Sequence, residues 1–128
     1  MQIGGLGGTV WIANGIGVTG AIEAKSLDRN ATAIRLGAGA TTPELRNAGS
    51  ILASSGNNAL ATATAISVEV GANLPTLRNS GEIKASSGND GTAVAIVDKS
   101  GTLGLIENSG TISATGAAAT STRNVAID

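Results

Sequence analysis

The sequence predicts an all-β chain wound as a right-handed parallel β-helix, about four coils of roughly 30 residues each. Three observations carry this. A seven-residue pattern recurs along the chain, and after its glycine the apolar residues fall at every second position. The composition is the third: 19 Gly, one aromatic residue, and a chain rich in Ala, Ser, Thr and Asn beside Ile and Val. Such residues fill a slim solenoid and cannot fill the bulky core of a two-layer domain.

The repeat is plainest in Leu45-Arg46-Asn47-Ala48-Gly49-Ser50-Ile51, Leu77-Arg78-Asn79-Ser80-Gly81-Glu82-Ile83 and Ile106-Glu107-Asn108-Ser109-Gly110-Thr111-Ile112. A weaker copy, Ile16-Gly17-Val18-Thr19-Gly20-Ala21-Ile22, has Val18 in place of the Asn. The marker glycines Gly20, Gly49, Gly81 and Gly110 are spaced by 29, 32 and 29 residues. Ile follows two residues later (Ile22, Ile51, Ile83, Ile112) and Ala four later (Ala24, Ala53, Ala85, Ala114), which is strand spacing.

A second strand is expected at Thr32-Ala33-Ile34, Thr64-Ala65-Ile66, Val94-Ala95-Ile96 and Val125-Ala126-Ile127. The runs Ser54-Ser55-Gly56-Asn57-Asn58 and Ser86-Ser87-Gly88-Asn89-Asp90 read as the intervening turns. A third strand leads into the next Asn-x-Gly, and the Ala-rich stretch from Ala59 to Val68 admits either face inward.

No copy can bury its own apolar face, so the copies must stack, each strand pairing in parallel with its equivalent about 4.8 Å along. The predicted core ladders are Ile22/Ile51/Ile83/Ile112, Ile34/Ile66/Ile96/Ile127 and Ile16/Leu45/Leu77/Ile106, with Ala at the tapering corners or on the outer face. Long coils with unequal turns favour the right-handed winding; the strict six-residue rhythm of left-handed solenoids is missing.

The run Asn108-Ser109-Gly110-Thr111-Ile112-Ser113-Ala114, with its relatives at 47–53 and 79–85, resembles the repeats in passenger regions of bacterial autotransporters and related surface β-helix proteins. The resemblance covers roughly residues 16–128. It implies secretion across the outer membrane and display at the bacterial cell surface. Such repeats are diagnostic of architecture more than of function; a structural or adhesive role without enzymatic activity is the expectation drawn from the residues themselves. Met1-Gln2-Ile3-Gly4-Gly5 has no basic residue followed by an apolar run, so an export signal is expected outside this span.

Charge and composition narrow the chemistry. Eight basic and nine acidic side chains give a net charge of −1, which argues against a nucleic-acid partner. There is no His, Cys, Tyr or Phe. Imidazole bases, thiolates, disulfides and His- or Cys-ligated metals are therefore excluded. No apolar run approaches the roughly 20 residues of a membrane helix. No cofactor is expected. Gly15-x-Gly17-x-x-Gly20 matches a dinucleotide fingerprint by letter, but the residues after Gly20 read as strand where that fingerprint needs a helix.

Each remaining cluster has a structural reading. Asn47, Asn79 and Asn108 are expected to stack as an amide ladder, bonded to one another and to backbone. Arg46, Arg78 and Glu107 form an outward charged stripe, the sharper reading being contact with an acidic glycan of host or matrix. Glycoside hydrolysis needs two carboxylates facing across a groove. Glu23 and Glu82 are expected to share a register two coils apart, with no repeating acidic column. Asp28 and Asn89-Asp90 could donate oxygens to calcium. Thr62-Ala63-Thr64 is too short for an ice-binding array, and Asn30-Ala31-Thr32 is a glycosylation sequon by letter only.

The ends of a β-helix expose unpaired edges. Residues 1–15 are expected to form an N-terminal strand that either caps the stack, with Trp11 over the core, or joins a neighbouring molecule; residues 16–128 hold the repeats. In the second case Val10, Trp11 and Ile12 would meet Val125 and Ile127 of another copy. The alternatives are thus a segment of a longer stalk, with neighbouring coils from the same chain, and a head-to-tail fibre subunit.

Overall fold

A computed structural model describes residues 1–56, 60–88, 91–116 and 124–128. Among these residues there are fifteen strands and no helix. The chain opens with β1 (Gln2–Ile3) and β2 (Val10–Trp11). One circuit comes next, through β3 (Ile16–Val18), β4 (Ala21–Ser26), β5 (Ala31–Leu36) and β6 (Ala40–Thr41). The second circuit is β7 (Glu44–Asn47), β8 (Ser50–Ser55) and β9 (Thr62–Val68); the third is β10 (Thr76–Asn79), β11 (Glu82–Ser87) and β12 (Thr92–Asp98). The fourth is β13 (Leu105–Asn108), β14 (Thr111–Gly116) and β15 (Asn124–Ile127).

Consecutive strands enter different sheets, and every pairing is with the equivalent strand one coil away. The three long sheets run β3-β7-β10-β13, β4-β8-β11-β14 and β1-β5-β9-β12-β15. All pairs are parallel, so the molecule is a β-solenoid of about four coils. The expected ladders form in register: Ile22, Ile51, Ile83 and Ile112 pair in turn, as do Ile34, Ile66, Ile96 and Ile127, and Ile16, Leu45, Leu77 and Ile106. Members in the middle coils are fully buried, whereas Ile16, Ile22, Ile106 and Ile112 at the two ends are half-buried and Ile127 is exposed. Apolar burial therefore accumulates at the centre of the stack.

The marker glycines have a steric cause. A Cβ on Gly49, Gly81 or Gly110 would stand 1.9, 2.0 or 2.1 Å from the carbonyl oxygen of the marker glycine one coil before. Only a residue without a side chain lets successive coils approach this closely at the bend. Gly20, in the first coil, has nothing within 4 Å of that position.

Several local expectations are corrected. Ser54–Ser55 and Ser86–Ser87 are not turns; they complete β8 and β11, pairing residue for residue. Asn57, Asn58, Asn89 and Asp90 lie outside the described residues. Ala53 and Ala85 lie on the core face with Ile51 and Ile83, as the period-2 spacing after the glycine predicts, whereas Ala63, Ala65, Ala93 and Ala95 are fully buried in the core and not at an outer face. The parity of the Ala-rich strand is settled by a bend. Ala65 and Ile66 are both fully buried, and the paired positions pass over Ala33, Ala65 and Ala95. Two consecutive residues face inward there, which neither simple alternation allows.

A fourth side holds short contacts only. β2 pairs with β6 (Val10↔Ala40, Trp11↔Thr41), and Thr41 bridges to Asn73. One coil on, the Thr102 hydroxyl accepts a bond from the Leu74 N–H at 3.0 Å, taking the place of a backbone carbonyl. β1 pairs with the second half of β5 (Gln2↔Arg35, Ile3↔Leu36), so residues 1–15 are built into the stack. Within the strand-like stretch Thr9–Asn14 only Val10–Trp11 is strand, and Ile12 is half-buried. Trp11 does not lie over the core: it points to solvent and is 77% exposed, because in a two-residue strand packed on one neighbour its side chain has no partner layer.

Candidate functional site

The bend between the β7-type and β8-type strands repeats in every coil, and it builds one continuous surface feature. In β7 and β10 burial alternates along Leu-Arg-Asn, so Leu45 and Asn47 point inward while Arg46 points out; Leu77, Asn79 and Arg78 repeat this. Asn47 and Asn79 are only 2% exposed. The Asn47 amide donates to Asn79 Oδ1 at 2.7 Å and to the Glu82 carbonyl at 3.0 Å. Asn79 repeats both contacts with Asn108 Oδ1 (2.8 Å) and the Thr111 carbonyl (3.1 Å). The Gly49 N–H donates to Asn47 Oδ1 at 3.2 Å. These amides are satisfied internally and hold the bend; they are not free to grip a ligand.

Outside the ladder, two outward columns flank the bend. Gly17, Arg46, Arg78 and Glu107 form one wall, and Thr19, Ala48, Ser80 and Ser109 the other, with the ladder beneath. Between them runs a groove of roughly 690 Å³ along the solenoid axis. The expected stripe is therefore present in one column, and Glu44 joins it. Glu44 lies 3.3 Å from both Arg46 and Arg78, while Arg78 also pairs with Glu107 and Arg46 donates to the Asn14 carbonyl at 3.4 Å. Glu44 sits two residues before Arg46 on the same face of one strand. That spacing was the available signal, hidden because Thr76 and Leu105 occupy its column in later coils.

Both arginine side chains are about half exposed, 57% for Arg46 and 49% for Arg78. Exposed pairs of this kind are worth about 0–1 kcal/mol. Their guanidinium groups can exchange a carboxylate partner for another anion at little cost.

The other charged clusters are structural. Glu69 sits between Arg35 (3.3 Å) and Lys99 (3.2 Å) and accepts from the Ser67 hydroxyl at 2.9 Å. Burial pushes its carboxyl up, but the bonds from Ser67 and Lys99 and the nearby Lys99 and Arg35 charges outweigh this and leave it below the usual carboxylate range. Burial likewise raises Asp98. The Ser100 hydroxyl (2.5 Å) and the N–H groups of Leu103 (3.0 Å) and Ser100 (2.9 Å) outweigh it and lower the net value. Asp98 thereby ties down the loop that supplies Thr102 to the fourth side.

Glu23 and Glu82 do not share a column. Glu23 pairs in register with Leu52, and Glu82 with Ser50, because they stand three residues and one residue after their glycines. Asn30 Oδ1 accepts from the Thr62 N–H at 2.8 Å, a coil-to-coil bond. Gly17 lies in β3 and Gly20 in the bend before β4, so the glycine fingerprint opens no helix. Among the described residues no three His, Cys, Asp or Glu side chains converge as metal ligands. Asn89-Asp90 lies outside them. Val10, Trp11 and Ile12 at one end and Val125 and Ile127 at the other are far apart in the stack order.

No protein-family model, no curated protein and no solved structure matches this chain.

Proposed function

We propose that this chain is a non-enzymatic structural and adhesive element of the bacterial exterior, a solenoid segment like those of autotransporter passengers, whose groove along the amide ladder meets acidic glycans. The observation that carries the reading is the axial alignment of Arg46 and Arg78 on the wall of a groove open along its length. An extended polyanion lying along the axis meets a guanidinium in each of two successive coils, about 4.8 Å apart. Arginine suits such a ligand because its planar fork engages carboxylate or sulfate by two bonds. The interior amides and ladders supply stiffness, and the outward residues supply contact.

Two measurements test the parts of this reading separately. Antibody against residues 1–128 is expected to label intact cells of the source bacterium; labelling only after permeabilisation would refute surface display. Heparin is expected to bind the purified chain, with affinity falling at least tenfold in Arg46→Ala/Arg78→Ala and at raised salt. Equal affinity of the double variant would remove the groove from the reading.

A further inference from the structure

Three sides of the solenoid carry charge, at Arg46 and Glu107, at Glu23 and Lys84, and at Arg35 and Asp98. The fourth side differs. Past the corner where Lys99 meets Glu69, the rows that cross it, residues 4–15, 37–43, 70–75 and 100–104, contain no charged side chain. The chain also places its one aromatic residue, Trp11, on this side and leaves it exposed.

The backbone of Trp11 is fixed. The Val10 N–H donates to the Gly39 carbonyl and the Ile12 N–H to the Thr41 carbonyl, both at 2.9 Å. Trp11 pairs with Thr41, and Thr41 bridges to Asn73 one coil on. Their neighbours Ala40, Thr42, Ala72 and Leu74 are buried, so by strand alternation Thr41 and Asn73 face outward. The column therefore runs indole, hydroxyl, amide, at about 4.8 Å per step. The amides of Asn47 and Asn79 are bonded within the ladder. Among the described residues the Asn73 amide and the Thr41 hydroxyl, by contrast, make no hydrogen bond.

We propose that this column is a second binding site, taking an uncharged sugar chain along the solenoid axis, with one ring stacked on Trp11 and the following rings bonded to Thr41 and Asn73. A pyranose has an apolar C–H face and a rim of hydroxyl groups, which matches an indole beside free donors and acceptors. One ring is about as long as one coil is deep, so a flat, equatorially linked chain keeps step with the column. With no charge on these rows, an acidic sugar gains nothing here over a neutral one. The site is thus separate in chemistry and in place from the arginine groove. A lipid surface fits less well, since it would strip water from the Thr41 hydroxyl and the Asn73 amide and return no hydrogen bond.

Trp11 is the only tryptophan, so its emission reports occupancy directly. Cellohexaose and the chitin hexamer are expected to shift that emission to the blue, saturably, and equally at low and high salt. In native electrophoresis, hydroxyethylcellulose in the gel is expected to retard the chain relative to a gel without it. Trp11→Ala is expected to lower the affinity about tenfold or more, Thr41→Val and Asn73→Ala to weaken it, and Trp11→Phe to keep part of it. Arg46→Ala/Arg78→Ala is expected to leave it unchanged, and far-UV circular dichroism with urea midpoints controls for folding. Emission unmoved by both hexamers overturns the proposal, as does retardation unchanged in Trp11→Ala or lost in Arg46→Ala/Arg78→Ala. A shift produced only by phosphatidylcholine vesicles reassigns the face to lipid, and one produced only by concentrating the chain reassigns it to a second copy; either overturns the proposal.

Discussion

Replacing Asn79 by Ala measures what the amide ladder contributes. Asn79 accepts from Asn47 at 2.7 Å, donates to Asn108 at 2.8 Å and to the Thr111 carbonyl at 3.1 Å, and is 2% exposed. The substitution removes two amide–amide bonds worth about 1 kcal/mol each and leaves buried partners short, at about 1–3 kcal/mol more. A loss of about 3–5 kcal/mol is expected from the urea midpoint at constant slope. Asn108→Ala, at the exposed end of the ladder, is expected to lose about 1 kcal/mol. The column itself accepts an apolar residue, since Val18 occupies it in the first coil and is 5% exposed. Replacing Asn47, Asn79 and Asn108 together by Val is therefore expected to cost less than the sum of the single changes, because no amide is left unpartnered. Equal losses for Asn79→Ala and Asn108→Ala, or strict additivity between Asn47→Ala and Asn79→Ala, would refute the reasoning.

Three further outcomes are expected. Gly81→Ala drives a Cβ to 2.0 Å from a backbone carbonyl and is expected to destabilise by about 3 kcal/mol or more, while Gly20→Ala in open space stays within about 0.5 kcal/mol; thermal unfolding compares them. Glu69 and Asp98 have native pKa values below those of the unfolded chain, so their stabilisation is present above the ordinary carboxylate range and is lost as pH falls through the lowered native values. Urea midpoints measured between neutral and acid pH should show that loss, and Glu69→Gln with Asp98→Asn should flatten it. Trp11→Ala is expected to move the midpoint by less than about 0.5 kcal/mol, with the wild-type fluorescence emitting at a solvent-exposed wavelength.

The ladders were legible because the same residue types recur at the same offset from a glycine, and parallel stacking turns equal offsets into contacts. Asn47, Asn79 and Asn108 could be placed in one column on that basis. Where offsets differ, the reading failed: Glu23 and Glu82 look alike in chemistry but not in distance from Gly20 and Gly81, and they occupy different columns. Ser54 and Ser55 carry the composition of a turn, yet strand pairing with Ser86 and Ser87 overrides that preference. The bend at Ala65–Ile66 was illegible because Ala fits either face, and what sets it is closure of the coil around Ile34, Ile66 and Ile96. The fourth side depends on two-residue pairings and a threonine hydroxyl standing in for a carbonyl, which leaves no period to find. The groove arises from the outward columns on either side of the ladder. Its charge balance rests on Glu44, which does not repeat.

The central claim is that cohesion along the stack of residues 1–128 is greatest in the middle coils and falls toward its first and last strands. Residue-resolved amide hydrogen exchange of residues 1–128 measures this most directly. The expected result is slowest exchange in β8, β9 and β11, around Ile51, Ile66 and Ile83, and progressively faster exchange through β3 and β4 at one end and β13 to β15 at the other. Protection at the ends equal to that of the centre, or fastest exchange in the middle coils, would contradict the account.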